Sequence, residues 1–246
     1  MRLTSALIAG ALLALSALAA SAAAPLLPGL GPDDRRMPVD GTAAPWRSLV
    51  KVQTGIASRC TGALIGPRRV LTAAHCLFNP RTRRFLPTVS LHVLFGYERG
   101  DFIKDTPPVV EVIRADSYDP LRPREEYAAD WAILVLAADA PPQAPPLAVS
   151  ESPPPPGTAV VLGGYSQDKA QIITADTACM VLGTDRTTKG PVLIHDCNGT
   201  RGTSGSPLLA LQEGEWQVVG IAVAGSTDRL TLNFAVPTSA FAAALR

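Results

Sequence analysis

Apolar residues in this chain come in short runs, and in several of them every second position is polar. From Trp46 onward the runs SLVKVQT, RCTGALIG, RVLTAAHC, TVSLHVLFG, VVEVIRA and DWAILVLA follow one another, punctuated by Gly, Pro or Asp. In Val50-Lys51-Val52-Gln53 the alternation is strict, the mark of a strand with one face buried and the other wet. A proline-laden stretch, DAPPQAPPLAVSESPPPPG, then spans residues 139–157. Proline cannot donate to a ladder, so this stretch is a linker and not a central strand. Beyond it the texture returns in TAVVLGGY, AQIITADTACMVLG, GPVLIHDC, SPLLALQ, EWQVVGIAVAG and LTLNFAV. The tail changes character: Pro237, a Thr or Ser cap, then alanines and a leucine predict a short closing helix. Many short strands without helices between them predict an all-β chain of sandwiches or barrels. It divides into 46–138 and 158–246.

The first 45 residues do not share this pattern. Arg2 precedes a long apolar stretch that ends in small residues, the grammar of a secretory signal, and Ala20-Ser21-Ala22 fits its cleavage site. Residues 1–22 are expected to be that signal, and the mature chain to begin near Ala23. An uncleaved membrane anchor is the alternative. No later segment is long and apolar enough to span a bilayer, so no stable membrane insertion is expected after signal removal. Residues 23–45 are rich in Pro, Gly and charge and read as an arm or propeptide. Asp33-Asp34-Arg35-Arg36 within them reads as a solvated charged turn, or as a processing site.

Charge announces no partner. The 246 residues carry 22 basic and 21 acidic side chains, with no basic stripe for nucleic acid. An exported protein, secreted or periplasmic, meets an oxidising compartment, where its four cysteines can pair. Three pairings are possible. The local one, Cys60 with Cys76 and Cys179 with Cys197, closes two short loops, each worth about 3 kcal/mol.

Three segments hold candidate chemistry. In CTGALIGPRRVLTAAHC, His75 stands at a strand end beside a cysteine. His92, within a strand pattern, is explained by packing, and His195 by a structural hydrogen bond. In ADWAILVLA, Asp130 precedes an apolar strand; it is either a strand cap or a buried carboxylate in need of partners. In CNGTRGTSGSPLLA, a polar turn leads into a buried strand. That turn either only turns the chain or carries a nucleophilic serine.

LTAAHC, DWAIL and GTSGSP, in this order, resemble the trypsin/chymotrypsin-like serine peptidases, and are similar to the bacterial V8-like (glutamyl endopeptidase) branch. The resemblance runs from about Trp46 to the end. It implies two six-stranded Greek-key β-barrels with the site in the cleft between them. It implies Ser204 as nucleophile, His75 as base and Asp130 as the residue that orients the base. The oxyanion hole would come from the backbone amides of Gly202 and Ser204, and Ser206 would be a small structural residue. No metal or cofactor is implied, the substrate is a protein or peptide, and a monomer is expected.

This chain also departs from the family pattern. Thr203 stands where digestive members carry an aspartate, and no IVGG-like start exists for it to pair with. Asn198 stands where trypsin-like members hold a carboxylate for Lys or Arg. Ala222 stands where the V8-like branch places a histidine for glutamate. With Phe234 expected at the pocket floor, these three candidate substrate-binding residues predict a small or apolar preference, or a partly closed pocket. Two other readings remain open: a protease-like binding or scaffold protein with little turnover, and a serine esterase.

Overall fold

The computed structural model describes residues 27–56, 58–122, 125–226 and 232–246. The expected signal peptide lies outside these residues. Among the described residues, twelve strands form the antiparallel frame of the two main sheets, and shorter strands add to it. The first contains β1 (Leu49–Thr54), β2 (Arg59–Gly66), β3 (Arg69–Thr72), β4 (Leu91–Phe95), β5 (Val109–Arg114) and β6 (Ala132–Leu136), in the order β4-β1-β2-β3-β6-β5. Val50, Val52, Ala63, Leu71, Phe95 and Ile133 fill its core. The second contains β7 (Ala159–Gly164), β8 (Thr174–Thr187), β9 (Gly190–His195), β10 (Pro207–Gln212), β11 (Glu215–Gly225) and β12 (Asn233–Pro237). Their order, β8-β7-β10-β11-β12-β9, closes on itself because β8 also pairs with β9. β8 is fourteen residues long, and its ladders slip register between Val160 and Leu162 and between Val181 and Gly183. Such bulges bend a strand enough to serve two neighbours around a barrel. The fold is thus all-β in two barrel units; the first stays open, since β4 and β5 do not pair among the described residues.

Three expectations change. The closing helix is instead a pair of 3₁₀ turns, Thr238–Ala240 and Ala242–Leu245. So short a segment cannot repay α-helix nucleation; it is held by tertiary contacts instead. Phe241 is fully buried against Trp131, and Arg69 of β3 donates to the carbonyls of Ala244 and Leu245. The alternation at Val50-Lys51-Val52 places Lys51 on the wet face, yet Lys51 is buried. The second unit covers that face: Lys51 Nζ donates to Ala170 O at 2.8 Å and lies 3.5 Å from the centre of the Tyr97 ring. Burial pushes its pKa down.

The third change concerns the N-terminal arm. Arg36 is 3% exposed and pairs with Asp34 and Asp168, both at 2.8 Å, so this one residue of the charged turn is buried while Asp33, Asp34 and Arg35 stay exposed. Arg35 pairs with Asp176, a wholly buried carboxylate of β8, at 2.9 Å. Met37–Pro38 then adds two residues of ladder to the edge of β8. A buried carboxylate requires a cation, and the arm supplies it.

Candidate active site

The turn that carries His75 (Ala74–Leu77) follows directly on β3. A disulfide between Cys60 and Cys76, Cα atoms 6.2 Å apart, ties that turn back to β2. The second disulfide joins Cys179 to Cys197 and anchors the start of the glycine-rich loop to β8. Sulfurs so bonded are not thiolates, so the Cys60, His75, Cys76 group and the Cys179, Asp196, Cys197 group offer no metal-binding set.

Asp130 ends a single 3₁₀ turn, Tyr127–Ala129, immediately before β6. It is 2% exposed and turns both oxygens to His75. Oδ1 accepts the His75 backbone N–H at 2.8 Å, and Oδ2 lies 2.7 Å from Nδ1. An ionised carboxylate only accepts, so the proton sits on Nδ1 and Nε2 keeps its lone pair. Burial alone lowers the His75 pKa, but the charge of Asp130 and the bond to it outweigh that and raise it above 6.5. A base must be neutral to work. The kcat/KM–pH profile is therefore expected to fall on the acid side with a midpoint above 6.5, and Asp130→Asn to move that midpoint down. A midpoint unmoved by Asp130→Asn would refute the pairing as the cause.

Tyr118 also lies at Asp130; burial first, and then the carboxylate's charge, hold its phenol protonated far above the usual range.

Ser204 comes from the second unit and shares with His75 and Asp130 a cleft of about 480 Å³. Its hydroxyl makes no hydrogen bond to the ring, a contact that tightens in such sites when substrate binds. The loop before it docks on Thr61 of β2. Thr61 N–H donates to Ser204 O at 2.9 Å, and Thr61 Oγ1 donates to Gly202 O at 2.8 Å while accepting Tyr165 N–H at 2.9 Å. Both carbonyls face the first unit, and among the described residues the amides of Gly202 and Ser204 donate to nothing. Thr61 is a positioning residue that sequence reasoning missed; its only sequence signal is a place beside Cys60. In place of an aspartate, Thr203 Oγ1 meets Ser166 Oγ at 2.9 Å, a buried neutral pair. Ser206 is wholly buried and does not line the cleft.

The sequence pattern of the trypsin-like peptidase domain matches residues 60–221, most of the chain. The chain belongs to the trypsin-like peptidase family. Among curated relatives, the glutamyl endopeptidase of Bacillus licheniformis is 39% identical over 62 residues, 25% of this chain and 19% of that protein. Human serine protease 56 is 28% identical over 200 residues, 72% of this chain and 32% of that protein. The matches therefore span less than half of either relative. Among solved structures, a Glu endopeptidase in complex with MPD superposes with a TM-score of 0.71 at 22% identity, covering 87% of this chain and 96% of that one. The inactive form of the Rv3671c protease does so with a TM-score of 0.58 at 24% identity, over 85% and 95%. At these identities the superpositions speak for the fold.

Against the family pattern, two of the three expected pocket residues lie elsewhere. Ala222 lines the cleft. Asn198 does not: its Oδ1 accepts Gly31 N–H at 2.8 Å, and its Nδ2 donates to Asp33 O and to Asp176, so the arm consumes the side chain. Phe234 also leaves the pocket floor and stacks at 5.5 Å on Tyr127, because β12 turns that ring toward the turn before Asp130. The residues found instead are Pro28, which the folded arm brings to the cleft, with His195 and Asn233. His92 is exposed on β4.

Proposed function

We propose that this trypsin-like peptidase is an exported serine endopeptidase, active as a monomer, that cleaves protein or peptide substrates through an acyl-enzyme. The observation that carries the reading is the double contact of Asp130 with His75, by Nδ1 and by backbone N–H, in the cleft that Ser204 shares. A serine hydroxyl is a weak nucleophile at neutral pH and needs an adjacent base. His75 Nε2 takes the proton as Ser204 Oγ attacks the scissile carbonyl. The oxyanion that develops on the carbonyl oxygen is met by the amides of Gly202 and Ser204, which no internal acceptor claims. As the C–N bond breaks, His75 returns the proton to the leaving amine. Water then attacks the ester by the same route, again with His75 as base, and frees Ser204 and the acid product. The two disulfides support an oxidising destination.

The case for a barely active scaffold rested on a Phe234 plug, and Phe234 packs against Tyr127 and is not among the residues that line the cleft. An esterase reading shares the chemistry and differs only in the acyl group offered. The test is a fluorophosphonate followed by peptide mapping. Label is expected on Ser204, absent in Ser204→Ala and in His75→Ala. A folded, unlabelled wild-type protein would rule the reading out.

A further inference from the structure

The cleft runs past Ser204 between two walls, residues 199–201 and 222–225. Gly199, Ala222 and Gly225 keep these walls thin. Two polar atoms on residues that line the cleft are buried and have no hydrogen-bond partner among the described residues: His195 Nε2 and Thr200 Oγ1. An unpaired buried polar atom costs free energy, and such atoms concentrate where a ligand completes them.

The chemistry of these two atoms is specific. His195 Nδ1 accepts the Cys197 N–H at 3.2 Å. A neutral imidazole has one donor and one acceptor, so Nε2 carries the proton and offers an N–H. Burial pushes the His195 pKa down to about 4, so the ring is neutral at pH 7. Thr200 Oγ1 both donates and accepts. Asn233, beside His195 across the β9–β12 ladder, is already satisfied: it donates to Cys197 O and Gly29 O and accepts from Ser226 N–H.

We propose that His195 and Thr200 form the primary specificity site and select an uncharged carboxamide, glutamine or asparagine, as the residue before the cleaved bond. This rests on the peptidase reading above. The carboxamide oxygen accepts from His195 Nε2–H, and its NH₂ donates to Thr200 Oγ1. A carboxylate would meet the same donors, but it would lose its hydration without gaining a buried cation. Arg201 also lines the cleft but is exposed, and Arg35 is taken by Asp176. An alkyl side chain would leave both polar atoms unpaired, the case that a site built for hydrogen bonds rejects most strongly.

The test is a peptide series on the full secreted chain that varies only the residue before the cut, with fluorophosphonate labelling of Ser204 run in parallel. Gln and Asn peptides are expected to exceed Leu and Glu peptides in kcat/KM by about tenfold or more. Thr200→Val is expected to reduce that ratio, with its Tm checked against the wild type. It keeps the side-chain shape and so guards against misfolding of a variant at the buried His195. A profile led by Leu, Glu, Lys or Arg, or a ratio unmoved by Thr200→Val, would overturn this site and leave the peptidase reading intact. No cleavage with Ser204 unlabelled would overturn both.

Discussion

Ser204→Ala is expected to lower kcat/KM on a peptide substrate by about 10⁵–10⁶-fold, with Tm nearly unchanged. The stability half of the result follows from the resting structure. Among the described residues the Ser204 hydroxyl makes no hydrogen bond, so its removal deprives none of them of a partner. The kinetic half follows from the proposed mechanism, in which loss of Oγ leaves no acyl-enzyme to form and no proton for His75 to take. His75→Ala is expected to cost about as much, and the double variant no more than either alone, because the two groups act as one unit. What survives would come from the oxyanion amides and substrate binding. Steady-state kinetics at one pH for the three variants settle the matter. More than a per cent of activity left in Ser204→Ala would move the nucleophile elsewhere, and the wholly buried Ser206 is no candidate.

Gly202→Ala is the second large effect. Gly202 has φ +93°, and a Cβ there would lie 2.3 Å from the backbone oxygen of Tyr165. A backbone atom cannot swing aside as a side-chain tip does, so the peptide carrying the oxyanion amide must move. Losing one such donor costs about 3–4 kcal/mol in the transition state. The expected outcome is a fall in kcat of about 10²–10³-fold with KM little changed. Gly100 provides the control, since its φ is also +93° but nothing lies within 4 Å of its Cβ position. Gly100→Ala suffers the same backbone strain and is expected to lose stability without losing kcat. Equal kinetic losses in both variants would mean that strain alone, and not the aim of the amide, explains the result.

Much of the fold could be read from local pattern, because it depends on neighbours in the chain. Alternation located most of the strands. Where tertiary cover intervened, the pattern misled. Lys51 obeys the alternation and is nevertheless buried, since its wet face is covered by the second unit. In the Asp-Asp-Arg-Arg stretch, Arg36 looks solvated but is buried, and Asp176 and Asp168, far along the chain, partner Arg35 and Arg36.

The candidate site divides along the same line. By itself the sequence determined which residue types stand ready for chemistry: His75 beside its cysteine, Asp130 ahead of a strand, and Ser204 just before a glycine. Those rest on local motifs, and local motifs survive in a single chain. Only the tertiary structure decided what surrounds them. It placed Thr61 under the Gly202–Ser204 loop, withdrew Asn198 into the arm, stacked Phe234 on Tyr127, and brought His195 and Thr200 to the cleft with polar atoms unpaired. The physical reason is that hydrogen-bond satisfaction is a property of the packed molecule. Whether a buried nitrogen has a partner depends on strands and loops distant in sequence, and no stretch of the chain read alone contains that information.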